Sequence, residues 1–240
     1  RAFNVNTLRM ITEAEIYYAD PTTFNDPLDS KPTIQIDTDL KSLEVLFYKL
    51  HIQAFGKEKA KEKIRHHRYM STQFGNYKVD SEAETYYIQR LASEIKELIY
   101  KEFNKNGVFS LAERWDCPLM WSHYADQHRG LCIEYDMPKH NYKNIQQVKY
   151  CKPRCIKISD LIKWKIKQSK SAEQLITNTF FFTKAQDWRY EREWRDINNG
   201  SGTTSTQAEI SAIYFGLRCD TSVRTTIVKL LYSRQNVHPL

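Results

Sequence analysis

Glycine is scarce in this chain, seven in 240 residues, and none sits in a phosphate-cradling loop or a G-x-S-x-G elbow. Glycine-loop phosphoryl transfer and the hydrolase nucleophile elbow are therefore not expected. Cysteine is sparse too. The five thiols, Cys117, Cys132, Cys151, Cys155 and Cys219, are odd in number and too few for a secreted disulfide scaffold, so reduced thiols are the expectation. None has a helix-spaced histidine with an orienting partner, which argues against a cysteine nucleophile. No run of eighteen apolar residues occurs and the first residues lack a basic-then-apolar signal pattern, so the expected setting is cytoplasmic with no membrane partner. There is no repeat and no low-complexity linker. The chain opens on Arg1 without a methionine, which suggests that a first segment is missing from this numbering.

What is present is a core-forming composition, 41% hydrophobic and 13% aromatic, enough for one sizeable core. A net charge of +7 favours an anionic partner, either a small molecule or nucleotide or, as the alternative, nucleic acid. Much of the excess lies in Lys57 to Arg68 and Lys139 to Lys170, runs that equally describe solvated helix faces.

Periodicity supplies the elements. Ala14 to Ala19 reads as a strand stopped by Asp20-Pro21, and Asn25-Asp26-Pro27 carries turn chemistry. Leu40, Leu43, Leu46, Phe47 and Leu50 recur at helical spacing behind a cap at Asp37 or Asp39. Ser81 to Phe103 reads as a second helix opened by a Ser81–Glu84 capping box. Between them, adjacent His66 and His67 point to different sides of a helix, so exposure is expected rather than a shared metal. Val108 to Leu111 and Ile210 to Leu217 read as strands, Val148 to Ile158 as an edge strand or bulged loop, and Gly200 to Thr206 as a flexible polar loop. Ser159 to Ile166, Ala172 to Phe182 and Thr221 to Leu231 read as helices. The expected fold is a single α+β domain, with a central mixed or antiparallel sheet and a helical insertion at about 38–105.

Two stretches are dense in chemistry. From Trp115 to Asp136, Asp116 is placed to cap a helix that Pro118 starts and that Arg129 and Gly130 end, before a strand from Leu131. That unit would hold Trp121, His123, Tyr124 and His128 in fixed relation. From Lys184 to Arg195, strand alternation would put Glu191, Glu193 and Arg195 on one face, with Trp188 and Trp194 flanking the acids. Desolvation by an aromatic raises a carboxylate pKa and an arginine lowers it, so the group is tunable for acid-base or charge-stabilising work; an Arg/Glu ladder on a strand is the plain alternative. Cys117, His123, His128 and Cys132 do not have the spacing of a closed zinc site, and no metal is expected. Asp26, Asp29, Glu191 and Glu193 allow a metal-dependent nuclease without requiring it.

Three motifs, FNDPLD from Phe24, FSLAER…MWSHYADQHRGLCIEYD from Phe109 and TKAQDWRYEREWR from Thr183, together with the closing IYFGLR, resemble bacterial domain of unknown function 2971 across nearly the whole chain. The family brings no established activity. The order Arg1, Ser110 and Glu191-x-Glu193 is in turn similar to the Arg, Ser and E-x-E pattern of mono-ADP-ribosyltransferases. That resemblance implies an ADP-ribosyltransferase-like fold and NAD as substrate, in the setting of a toxin or phage-defence effector. Glu193 would be the central carboxylate, Glu191 would orient the acceptor, and Arg1, Ser110, Trp121 and Tyr124 would touch the nucleotide. Asn25, Asp26, His123, His128 and Arg195 complete the candidate site. The competing expectations are a nucleic-acid-acting protein, suggested by basic segments interleaved with Tyr69, Tyr77 and Trp164, and a non-catalytic small-ligand sensor using His123, Tyr124 and Arg195.

Overall fold

The computed structural model describes residues 1–76, 78–136, 145–151 and 154–235, with side chains excepted at Phe74 and 233–235. Tyr77, Pro153 and the 139–144 part of the second basic run lie outside the described residues. In chain order the elements are α1 (Val5–Thr12), β1 (Glu15–Tyr18), β2 (Thr33–Gln35), α2 (Leu40–Phe55), α3 (Lys57–Ser71), α4 (Ser81–Phe103), β3 (Asn106–Ala112), α5 (Pro118–Tyr124) and β4 (Leu131–Asp136). They continue with β5 (Gln146–Gln147), β6 (Lys149–Tyr150), β7 (Cys155–Lys157), α6 (Ile158–Lys165), α7 (Lys170–Phe181), β8 (Thr183–Lys184), β9 (Glu193–Asn199), β10 (Gly202–Ser205), β11 (Glu209–Phe215) and α8 (Thr221–Gln235). Helices stand beside small, mostly antiparallel sheets, and the fold class is α+β.

The contacts divide the chain into two compact units. The first comprises Arg1–Thr23, Asn106–Val148 and Asp187–Leu240. At its middle β9 pairs antiparallel with β3, Ser110 opposite Arg195 and Ala112 opposite Glu193, while β5 takes its other edge with Gln146 opposite Arg195. β4 and β11 form a second antiparallel pair and β1 and β10 a third. Met10, Ile16, Tyr18 and Phe109 are buried as one cluster, and Ile11, Leu131 and Ile227 as another. The polar loop expected at 200–206 is instead largely β10. Gly200 and Gly202 take positive φ and turn the chain, after which the threonines pair with β1, a partner far away in sequence.

The second unit comprises Phe24–Lys105 and Lys149–Gln186, and so contains the stretch expected as a helical insertion. α2, α3 and α4 bury Leu43, Leu46, Phe47, Tyr87, Leu91 and Ile95. Asp39 caps α2 by accepting from Ser42 N at 2.8 Å. Asp37 serves another helix: its carboxylate accepts from Ser159 N and Oγ, at 2.9 and 2.7 Å, at the start of α6. The Ser81–Glu84 capping box does not form, because Asp80 is the N-cap and its carbonyl takes Glu84 N. His66 is exposed as expected, but His67 is buried, since it lies on the side of α3 that faces Glu94 of α4. Within 148–158 the described residues form β6 and β7, which pair in parallel with β8 and β2. Among the described residues, no helix is long and apolar enough to cross a membrane.

Candidate functional site

The stretch before Arg195 is not one strand. Gln186–Glu191 is a 3-10 turn, Arg192 takes a left-handed φ of 45°, and only then does β9 begin at Glu193. A left-handed residue breaks the alternation. Glu191 is therefore carried by the turn and not by the strand face that holds Glu193 and Arg195. Both acids are buried and each has a partner. Tyr124 Oη donates to Glu191 Oε1 at 2.6 Å. Arg195 Nε donates to Glu193 Oε1 at 2.7 Å and Nη2 to Oε2 at 3.0 Å, a two-pronged contact between residues 1% and 5% exposed.

Tyr124 is the last residue of α5. Pro118 starts it with Cys117 as N-cap, while Asp116, expected to be the cap, accepts from Arg114 Nε at 2.6 Å. The helix also stops earlier than expected, at Tyr124, and Asp126, Gln127 and His128 run left-handed with φ of 47, 52 and 69°. Gly130 is not the left-handed cap. Its lack of a side chain serves a close approach instead: a Cβ there would fall 2.0 Å from the Arg1 carbonyl oxygen. A Cβ on Gly216 would meet the His128 carbonyl at 2.1 Å. Backbone bonds seal this knot, with Leu131 N donating to Arg1 O and Gly216 N to Gly130 O, each at 2.9 Å.

The result is an open aromatic shelf beside a buried acid. The exposed His123 ring lies 5.8 Å from Trp188 and 6.5 Å from Tyr190, and Trp188, Tyr190 and Glu191 follow one another along the same turn. Trp121 stacks on His128 at 6.2 Å, and its Nε1 donates to Trp115 O. Ser110 is exposed and, standing opposite Arg195, shares its side of the sheet. Arg1 meets Leu131 through its backbone, its carbonyl accepting from Leu131 N and its terminal amine donating to Leu131 O. Asn25 and Asp26 belong to the second unit. There Asp26 Oδ1 accepts from Leu28 N at 2.8 Å, the self-bonded turn that its sequence suggested, and Asn25 is exposed.

Three features went unseen in the sequence. Tyr190 was legible only as a neighbour of Trp188. A cavity of about 640 Å³ opens in the first unit, with Leu111, Trp115, Ile133, Tyr135 and Trp194 among its walls. Trp194 alternates with Glu193 and Arg195 along β9, so it points to the other side of the strand. In the second unit Lys184 and Asp29 form a buried ion pair at 3.5 Å that no spacing could announce. Among the described residues, no group of three or more His, Cys, Asp or Glu is placed to hold a metal ion.

No curated protein and no solved structure gives a significant match to this chain. Residues 120–195, from within α5 to Arg195, match the model of the family described as Protein of unknown function (DUF2971), which supports the resemblance to that family over that stretch; the FNDPLD segment from Phe24, the FSLAER segment from Phe109 and the closing IYFGLR lie outside it.

Proposed function

We propose that this chain is an ADP-ribosyltransferase-like enzyme that uses NAD as substrate, with Glu191 and Tyr124 as its working pair beside the His123, Trp188 and Tyr190 shelf. The observation that carries the reading is the 2.6 Å bond from Tyr124 to a buried Glu191, next to an exposed imidazole among aromatic rings. A flat nicotinamide or adenine ring suits such a shelf. In the reaction the bond from the ribosyl C1′ to the nicotinamide nitrogen breaks, and its electron pair leaves with neutral nicotinamide. Positive charge builds on C1′, where a nearby carboxylate stabilises it. The acceptor then bonds to C1′ and gives its proton to Glu191 or His123. Both oxygens of Glu193 are engaged by Arg195, so its role here is to fix the start of β9.

A second reading, a non-catalytic small-ligand sensor, is favoured by the aromatic-walled cavity, whose 640 Å³ falls in the range of small-molecule sites, although His123, Tyr124 and Arg195, the residues expected to form the sensor pocket, are not among its walls. The nucleic-acid reading has less behind it. In α3, Lys61 faces Glu58, Lys63 faces Glu94 and Arg68 faces Glu44, so much of the basic run is answered within the protein.

Calorimetric titration of NAD into the wild type and into Trp188→Ala tests the first reading. Heat from the wild type that weakens about tenfold or more in the variant supports the stacking shelf, since base–aromatic stacking is worth about 1–3 kcal/mol. No heat from either removes it. RNA affinity that falls steeply with salt, without a response to NAD, would favour the nucleic-acid reading.

A further inference from the structure

In the second unit, α2, α3 and α4 meet on one carboxylate. Glu94 of α4 faces His51 Nε2 of α2 through Oε2 at 2.9 Å, and His67 Nε2 of α3 through Oε1 at 2.8 Å. Both imidazoles are buried around Phe47, His51 stacked on it at 3.8 Å and His67 edge-on at 5.7 Å. The partners settle where the protons go. His51 Nδ1 is 2.9 Å from the Phe47 carbonyl, which can only accept, so that nitrogen carries a proton. One more proton lies between His51 Nε2 and Glu94 Oε2, because two acceptors do not face each other at hydrogen-bond distance. His67 donates to Glu94 through Nε2, which leaves its Nδ1 a buried lone pair without a hydrogen-bond partner.

We propose that His67 is an acid sensor whose protonation at Nδ1 loosens α3 from α2 and α4. The new N–H would have no acceptor, and a buried donor left unmade is costly. The added charge would meet the His51 imidazole on α2, Arg90 on α4, Lys63 on its own helix and His66 next along the chain. Glu94 faces it with opposite charge, and that carboxylate is already shared with His51 and Lys63. Burial, aided by Arg90 and Lys63 against Glu94, holds His67 below its ordinary value. α3 is the element that yields. Its buried residues are only Ala60, His67 and Ser71, and its N-cap, Gly56, offers no side-chain bond. Arg68 keeps its grip on Glu44, so the helix loosens without leaving.

Amide hydrogen exchange of the whole chain at pH 7.5, 6.5 and 5.5, corrected for intrinsic rates, tests this. The opening constant over 57–71 rises by up to about tenfold per pH unit below about 6.5, as one-proton linkage requires, while α4 keeps its protection. His67→Gln retains a donor for Glu94 but cannot take the proton, and it abolishes the response. Should that variant not fold, the wild-type His67 ring resonance followed by NMR takes its place, and it must titrate together with α3 opening. Unchanged protection of 57–71 down to pH 5.5, an undiminished acid response in His67→Gln, or ring titration without opening each overturns the proposal.

Discussion

In the first unit each buried acid has its own partner, Glu191 the Tyr124 hydroxyl and Glu193 the Arg195 guanidinium, whereas in the second one acid, Glu94, is divided between His51 and His67. The difference lies in what the partner can do. A guanidinium keeps its proton at any pH a protein survives, so the Glu193–Arg195 contact is a fixed brace. An imidazole can gain a proton within the pH range a protein survives, so His67 makes the Glu94 cluster responsive. Backbone agrees with this contrast: the brace stands on a paired strand, while the shared acid ties together helices of which α3 buries little.

The largest effect should come from breaking the brace. Arg195→Ala leaves Glu193 buried without its guanidinium and should cost about 3–5 kcal/mol, read from the urea midpoint. Replacing both residues, Glu193→Leu with Arg195→Met, should recover most of that loss, because a buried pair is often worth no more than apolar side chains of similar volume. If the single variant costs under about 1 kcal/mol, the brace is not one. Tyr124→Phe is next: it removes a bond to a buried carboxylate and should cost about 1–3 kcal/mol by the same measurement.

The acid response should be smaller and confined to the second unit. The folded values of His67 and Glu94 lie below their ordinary 6.5 and 4.5. Burial, with nearby cations, lowers His67; burial opposes the shift of Glu94, and His67, His51 and Lys63 outweigh it. In both cases the open chain binds the proton more readily. The stability they confer is therefore present above about 6.5 and 4.5 respectively, and is lost as the pH falls toward each folded value. β9, which contains no histidine, should keep its amide protection between pH 7.5 and 5.5. An equal loss there would erase the contrast between the units.

What the sequence made legible is local. The Leu40 to Leu50 stripe, the Asp39 cap, the full span of α4 and the strand after Gly130 each depend on near neighbours, and each is found. What it hid depends on distant chain. Nothing around Thr203 and Thr204 reveals that Tyr17 and Ile16 pair with them. Gly130 looked like a helix cap, and its glycine is needed because the Arg1 carbonyl passes close by. The Glu191-x-Glu193 spacing suggested one strand face, and the left-handed Arg192 between the acids is a conformation that no local pattern favours for arginine. His67 sits in a basic run that reads as solvated, yet it is buried because Glu94 on another helix faces it.

Release of nicotinamide from NAD, followed by chromatography for the wild type and for Glu191→Gln, tests the functional account most directly. The glutamine still accepts from Tyr124 but has no charge to offer C1′. The account predicts turnover by the wild type and a loss of at least about a hundredfold in the variant, within the range typical of one electrostatic or general-base group. A variant as active as the wild type, or no nicotinamide from either, would contradict it.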